Sequence, residues 1–254
     1  MALRIPQTPF AAVCDLPHSP HMGLKVGCCS PRHSPARGPA AIYLRRHPEA
    51  SWEHVAVAHS QAAIGELVRF DDQLEPFHGD DRRDEGSRLH VRLYARELYS
   101  HPEIDVALGL SLLMVGEELV AYSRAEQLGP EEWALTGLWR GVRDTGEACR
   151  HHQPGERILL LDSACLFLPY DPSEIGQHWA LKAAAAGQQL AAVPIAWEGR
   201  LTGASGVPMR PAIVDGQPRP RSRWHGTIGC CRAALPGSEA GVAWETSPGR
   251  VRQL

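Results

Sequence analysis

Seven prolines, at positions 6, 9, 17, 20, 31, 35 and 39, fall within the first 44 residues and constrain the chain more than any other feature. Each fixes φ and removes a backbone donor, so this stretch accommodates short strands and loops rather than helices. Phe10 to Cys14 and Leu24 to Cys29 are the strands predicted between them. The loop from Pro31 to Gly38 carries Arg32, His33 and Arg37 without an acid, which makes it a candidate anion-binding loop.

Beyond the prolines the pattern changes, and residues 51–150 are expected to form a mainly helical insertion. Ser51 is placed to cap a helix that presents Trp52, Val55, Ala63 and Leu67 inward. A second helix is predicted over Arg88 to Tyr99 and a third, apolar nearly all round, over Ile104 to Ser123. Pro130 opens a fourth, with Trp133, Ala134, Leu138 and Val142 as its inner face.

Residues 151–254 read as strand, helix and strand. Ile158 to Leu168 is the predicted buried strand, and Asp171-Pro172-Ser173-Glu174 combines an N-cap, a proline at N1 and an acid at N3. Trp179, Ala183, Ala186 and Leu190 then follow at three- and four-residue intervals up to Pro194, with Lys182 facing out. Ile195 to Trp197, Ala212 to Val214, Trp224 to Cys231 and Val242 to Trp244 complete the strands. A β-α-β unit with antiparallel additions is a ferredoxin-like half, so the expected class is α+β. Its core would be a ferredoxin-like (RRM-like) sheet to which residues 1–50 add strands and a basic loop. The echo of Gly23 to Cys29 in Gly226 to Cys231 places those two segments as neighbours in one sheet.

The longest apolar stretch, Val106 to Gly116, is about half of the roughly 20 residues needed to cross a bilayer. No secretory h-region is visible, and the seven cysteines form an odd set without a C-x-x-C pair. A cytoplasmic protein with reduced thiols is the expectation. Motifs for nucleotide phosphates, dinucleotides, nucleophilic serine hydrolysis and zinc deamination are all missing, so no cofactor is expected. His18, His21, Cys28, Cys29 and His33 lie close together, but adjacent cysteines rarely share one tetrahedral ion. Small buried core thiols are the preferred reading, and no metal is assigned.

Local charge is more informative than the net value of −3. Arg219, Arg221 and Arg223 alternate, which on an extended segment makes a row of guanidinium groups suited to a polyphosphate backbone; Arg232 and His225 lie near them. A solvated proline-rich loop is the alternative. Arg88, Arg92 and Arg96 recur every four residues, one stripe on a helix, where a salt-bridged solvent face competes with phosphate contact. Arg45 and Arg46 are added as candidate phosphate contacts. Few aromatics are free to stack, which favours a structured RNA read through its phosphates.

With its ferredoxin-like half, the Arg32/His33/Arg37 loop, a helical insertion and a tail carrying Gly226, Gly229, Gly237 and Gly241, the chain resembles the CRISPR RNA-processing endonucleases, particularly the type IV branch. The resemblance implies metal-independent cleavage of a CRISPR repeat hairpin, with a 2′,3′-cyclic phosphate left on a product that stays bound within an effector complex of other subunits. On that reading His33 and His225 are the acid or base, and Arg32, Arg37 and Arg223 stabilise charge on the phosphorane. Two alternatives stand beside it. One is a non-catalytic RNA-binding or scaffold subunit; the other is a soluble interaction protein that touches no nucleic acid.

Overall fold

A computed structural model describes residues 9–30, 38–70, 82–150, 152–207, 212–213 and 228–229. In chain order the strands are β1 (Phe10–Asp15), β2 (Gly23–Cys29), β3 (Ala40–Arg45), β4 (Glu53–Ala58), β5 (Ile64–Phe70), β6 (Arg82–Asp84) and β7 (Leu89–Leu93). The short helix α1 (Glu103–Ala107) follows, then β8 (Leu112–Val115), β9 (Glu118–Gln127), β10 (Glu132–Arg140), β11 (Arg157–Leu160), β12 (Leu166–Pro169), β13 (His178–Ala185) and β14 (Trp197–Arg200). A further two strands, β15 (Ala212–Ile213) and β16 (Ile228–Gly229), pair with each other.

Six strands close into an antiparallel barrel in the order β5-β7-β10-β9-β8-β11 and back to β5. Closure leaves the barrel without an unpaired edge. Its interior is packed with side chains, Leu67, Val91, Val120, Tyr122, Leu135 and Ile158 among them, so it is a core and not a channel. Strand β10 serves two partners on one side, pairing through Glu132–Leu135 with β7 and through Leu138–Arg140 with β6. The kink between the two halves falls at Gly137, whose φ of 61° is left-handed and whose missing side chain makes room for Ser123.

Two sheets are layered against the barrel wall. In the middle sheet, β1-β2-β12, strands β1 and β2 are covered on both faces, while Phe167 of β12 is exposed. Ala12, Cys14 and Cys29 pack on Ile64, Met114 and Leu159 of the barrel, while Ala11, Val26 and Cys28 pack on the outer sheet β14-β13-β3-β4 through Ile42, Leu44 and Trp179. A strand buried on both faces needs small or apolar residues at every position, which is what Gly23-Leu24-Lys25-Val26-Gly27-Cys28-Cys29 largely supplies. Any side chain at Gly27 would run into Leu159 and Ala62. Hydrogen bonds fasten the same junction: Ala62 N donates to Cys28 O at 2.7 Å, and Arg157 Nη1 to Ala11 O at 2.8 Å.

This architecture corrects the expected class. Strands take 46% of the chain and helices 10%, and no ferredoxin-like sheet or helical insertion forms. The predicted helix from Ser51 is β4 and β5; the one over Arg88 to Tyr99 contains β7; the one from Pro130 is β10. Of Ile104 to Ser123 only α1 is helical, because Gly109 at φ 79° ends it and Gly116-Glu117 makes a two-residue hairpin turn between β8 and β9. The Asp171 capping box does form, with Ser173 N donating to Asp171 Oδ1 at 2.9 Å, but it caps a single 3-10 turn over Pro172–Glu174. Gly176, at φ 84°, then redirects the chain into β13, so the β-α-β unit does not exist.

The predicted strands at Phe10 to Cys14 and Leu24 to Cys29 are β1 and β2, and Ile158 to Leu168 is divided between β11 and β12. Gly23–Cys29 pairs with β1 and β12, not with the Ile228–Gly229 segment. Val242 to Trp244 lies outside the described residues. Among the described residues, no helix is long and apolar enough to cross a membrane.

Candidate functional site

Alternation along β3 sends Ile42 and Leu44 into the core and leaves Ala41, Tyr43 and Arg45 half-buried on the outward face. Registration builds this face across three strands: Tyr43 lies opposite His54 of β4 and Lys182 of β13, and Arg45 lies opposite Ala180. Trp52, one residue before β4, sits beside Arg45. The Arg45 guanidinium is 4.8 Å from the centre of the Trp52 ring, and the Lys182 ammonium is also 4.8 Å from it. Tyr43 and His54 meet edge to face at 5.4 Å. Lys182 is held by a 3.0 Å bond to Leu190 O, and Arg45 Nε is buried without a hydrogen-bond partner. Neither cation pairs with a carboxylate among the described residues. Two cations over one indole, beside a second aromatic pair, offer both charge for a phosphate and ring faces for a base.

The other expected phosphate contacts are engaged internally or lie elsewhere. Arg46 bonds Glu174 at 3.0 Å and stacks 4.7 Å from Trp179, a fully buried ring. Arg92, on β7, bridges Glu132 at 2.8 Å and Glu66 at 3.0 Å, and these hydrogen bonds, the Glu132 bond first, push its pKa up. Arg96 bonds Asp162 at 2.5 Å. Arg88 is exposed just ahead of β7. The three arginines therefore form no helical stripe, because the segment that carries them is a strand with its flanks. Arg32, His33, Arg37, Arg219, Arg221, Arg223, His225 and Arg232 lie outside the described residues.

A second cluster sits at one end of the barrel, where β9 begins and β10 ends. Glu118 and Arg140 are both completely buried and joined by two bonds, Nε to Oε1 at 2.7 Å and Nη2 to Oε2 at 2.8 Å. Gly141 N and Cys149 Sγ also donate to Glu118 Oε1, at 2.9 and 3.2 Å. His152 bridges Glu118 Oε2 and Glu156 Oε2, each at 2.6 Å. Burial alone would raise the Glu118 pKa, but the bonds from His152 and Arg140 overcome it and hold the group down at about 2. Burial likewise works against protonated His152, and its two carboxylate partners reverse the sign, so its pKa is raised. With every Glu118 lone pair engaged and both Glu118 and Arg140 fully buried, this arrangement holds the barrel end together.

The thiols are unsuited to nucleophilic or ligand roles: burial pushes Cys14, Cys28 and Cys29 up to about 12 and Cys165 to about 11. Among the described residues no three His, Cys, Asp or Glu side chains gather as a metal site. Sequence reasoning named Arg45 but missed Tyr43, Trp52, His54 and Lys182. The signal was present in the alternation Ala41-Ile42-Tyr43-Leu44-Arg45, which reads as a half-buried strand with an aromatic and a cation on its outer side.

Residues 62–159 match the model of a family described as Rcc01698-like, C-terminal. The matched stretch runs from just before β5 to the penultimate residue of β11, so the similarity covers the barrel and leaves out the middle and outer sheets. No curated protein is similar enough to the chain to match it.

Proposed function

We propose that this protein is a non-catalytic RNA-binding subunit that holds its polymer on the outward face of the β3-β4-β13 sheet. The observation that carries this reading is the Arg45–Trp52–Lys182 arrangement, two cations 4.8 Å from one indole with no carboxylate opposing either among the described residues. A sheet face with rings and cations suits RNA, whose unstacked bases lie on aromatic faces while phosphates meet guanidinium groups. Cleavage needs a positioned acid and base, and one His–carboxylate group among the described residues, His152 with Glu118 and Glu156, is committed to the barrel end rather than to the outer face.

The test is an electrophoretic binding assay in EDTA with hairpin and single-stranded RNA of mixed sequence, followed by denaturing analysis of the RNA. Retention of intact RNA is expected, weakened in a folded Arg45→Gln/Trp52→Ala variant. That variant should also flatten the slope of log affinity against log salt by about 0.7 to 0.9, one phosphate contact. Absence of binding, or binding unchanged in the variant, overturns the reading. A product ending in a 2′,3′-cyclic phosphate replaces it with the endoribonuclease expected from the sequence.

A further inference from the structure

The outer sheet ends in β14, which pairs with β13 and with no other strand among the described residues. Leu201, one residue past its end, turns its backbone toward the residues that lead into β13: its N–H donates to Gln177 O at 3.0 Å and its carbonyl accepts from Gly176 N at 2.8 Å. Backbone groups alternate in direction along a strand, so Gly199 faces β13 as Leu201 does, while Glu198 and Arg200 turn their N–H and C=O groups to the open side. Such an edge is a template for another chain. Proline and bulges, two common guards, are missing from Trp197-Glu198-Gly199-Arg200, whose register with β13 is unbroken. Its guard is the charge of Glu198 and Arg200.

That charge is arranged to match itself. Trp179 and Leu181 point into the core, so Glu198, opposite Ala180, and Arg200, opposite His178, stand on the outward face, and both are exposed. Arg200 Nη1 reaches Gly176 O at 3.3 Å, and neither side chain has an ion-pair partner among the described residues. A two-fold axis at Gly199, perpendicular to the sheet, sets Glu198 of one copy opposite Arg200 of the other, and the reverse. Gly199 then meets its own copy at a non-hydrogen-bonded position, where Cα atoms approach to about 4.5 Å. At the flanks, Ile195 of one copy is carried toward Gly203 of the other, against which Ile175 is packed. Ile175 and Ile195 are 44% and 42% exposed, so each has apolar surface to cover.

We propose that β14 is a self-association edge: a second copy of this chain adds its own β14 antiparallel about Gly199, joining two four-stranded sheets into one. Each of the two Glu198–Arg200 positions exchanges a pair of backbone hydrogen bonds and an ion pair. Strands without the reverse order of charge are repelled, while the chain's own copy fits. The contact is short, so the dimer is weak and concentration-dependent. It does not rest on the RNA reading, although the axis leaves the outward faces of both copies on one side.

The experiment is analytical ultracentrifugation of the full chain without RNA, from about 1 µM to about 1 mM. Passage from monomer to dimer is expected for the unaltered protein. Glu198→Arg and Arg200→Glu, each placing like charges across the axis, should separately weaken dimerisation by about tenfold or more. An equimolar mixture of the two variants should dimerise again, because an edge with two arginines then meets an edge with two glutamates. A protein monomeric throughout, a dimer indifferent to either single change, or a mixture that fails to associate each overturns the proposal. Should the variants fail to fold, amide hydrogen exchange of the unaltered protein decides. Protection at Glu198 and Arg200 that rises with concentration is the expected result, and protection independent of concentration overturns it.

Discussion

Arginines on the barrel and the Arg45–Lys182 pair on the outer sheet are held in opposite ways. Arg92, Arg96 and Arg140 each close on a carboxylate, the last with both partners fully buried. Arg45 and Lys182 instead lie over the ring of Trp52, with no acid against them among the described residues. A guanidinium matched by carboxylates has its donors and charge committed to the fold. One stacked on an indole keeps its charge unneutralised and part of its donor set available. The charge is therefore matched by acids in the barrel and left unmatched at Arg45 and Lys182, the face proposed above for RNA.

The contrast is sharpest for Arg140, where Arg140→Met is expected to destabilise by about 3 to 5 kcal/mol in urea unfolding, because Glu118 stays buried without its main partner. The double variant Glu118→Leu/Arg140→Met should recover most of that loss. A small effect of the single variant would show that the barrel end does not depend on the pair.

A smaller effect follows from pH. His152 has a raised pKa in the fold, so its contribution is fully present below its unfolded value of 6.5 and is lost as pH rises through the higher folded value. Glu118 has the opposite sign: its contribution is present above 4.5 and is lost as pH falls toward about 2. Thermal unfolding across that range should show both limbs, and His152→Gln should remove the alkaline one and leave the acid one.

Smaller again is Arg92→Ala. This pair is partly open to solvent, with Arg92 32% exposed, so the expected loss is at most about 1 kcal/mol with the fold intact. Least of all, Arg45→Gln is expected to move stability by less than about 0.5 kcal/mol while altering RNA affinity. If Arg45→Gln proves as destabilising as Arg140→Met, the two layers do not differ and the outer face is structural.

What was legible in the sequence follows from periodicity. A four-residue spacing is nearly one helical turn, but it is also two full periods of a strand, so Arg88, Arg92 and Arg96 satisfy both templates. Leu89-His90-Val91-Arg92-Leu93 alternates strictly, and that shorter period is the one the barrel uses. In β13, Trp179, Leu181 and Ala183 alternate in the same way, within a run of alanines whose helix propensity pointed elsewhere. Alanine there is set by the close approach of layers, a tertiary demand that overrides local preference. The proline-limited β1 and β2 were legible because proline acts locally. Barrel closure was not, since it joins β5 to β11 and β7 to β10, segments far apart in the chain whose pairing has no local signature. The Arg45 position could be named as basic, but its ring partners appear only once β3, β4 and β13 are aligned.

The order in which the layers are threaded has a consequence for synthesis. Strands β1 to β4 are complete at Ala58, yet the segments that pair with β2 and β3 from the other side, β12 and β13, begin only at Leu166 and His178. The contiguous barrel lies between. At translation rates of about 5 to 20 residues per second, the first four strands leave the ribosome roughly 5 to 20 s before those partners exist. During that interval the exposed sides of β2 and β3 are open to any other nascent strand. Lys25 within β2 and Pro39 just ahead of β3 are the kinds of residue that guard such edges, so this half of the chain is where a slowed ribosome or a missing chaperone would first yield aggregates.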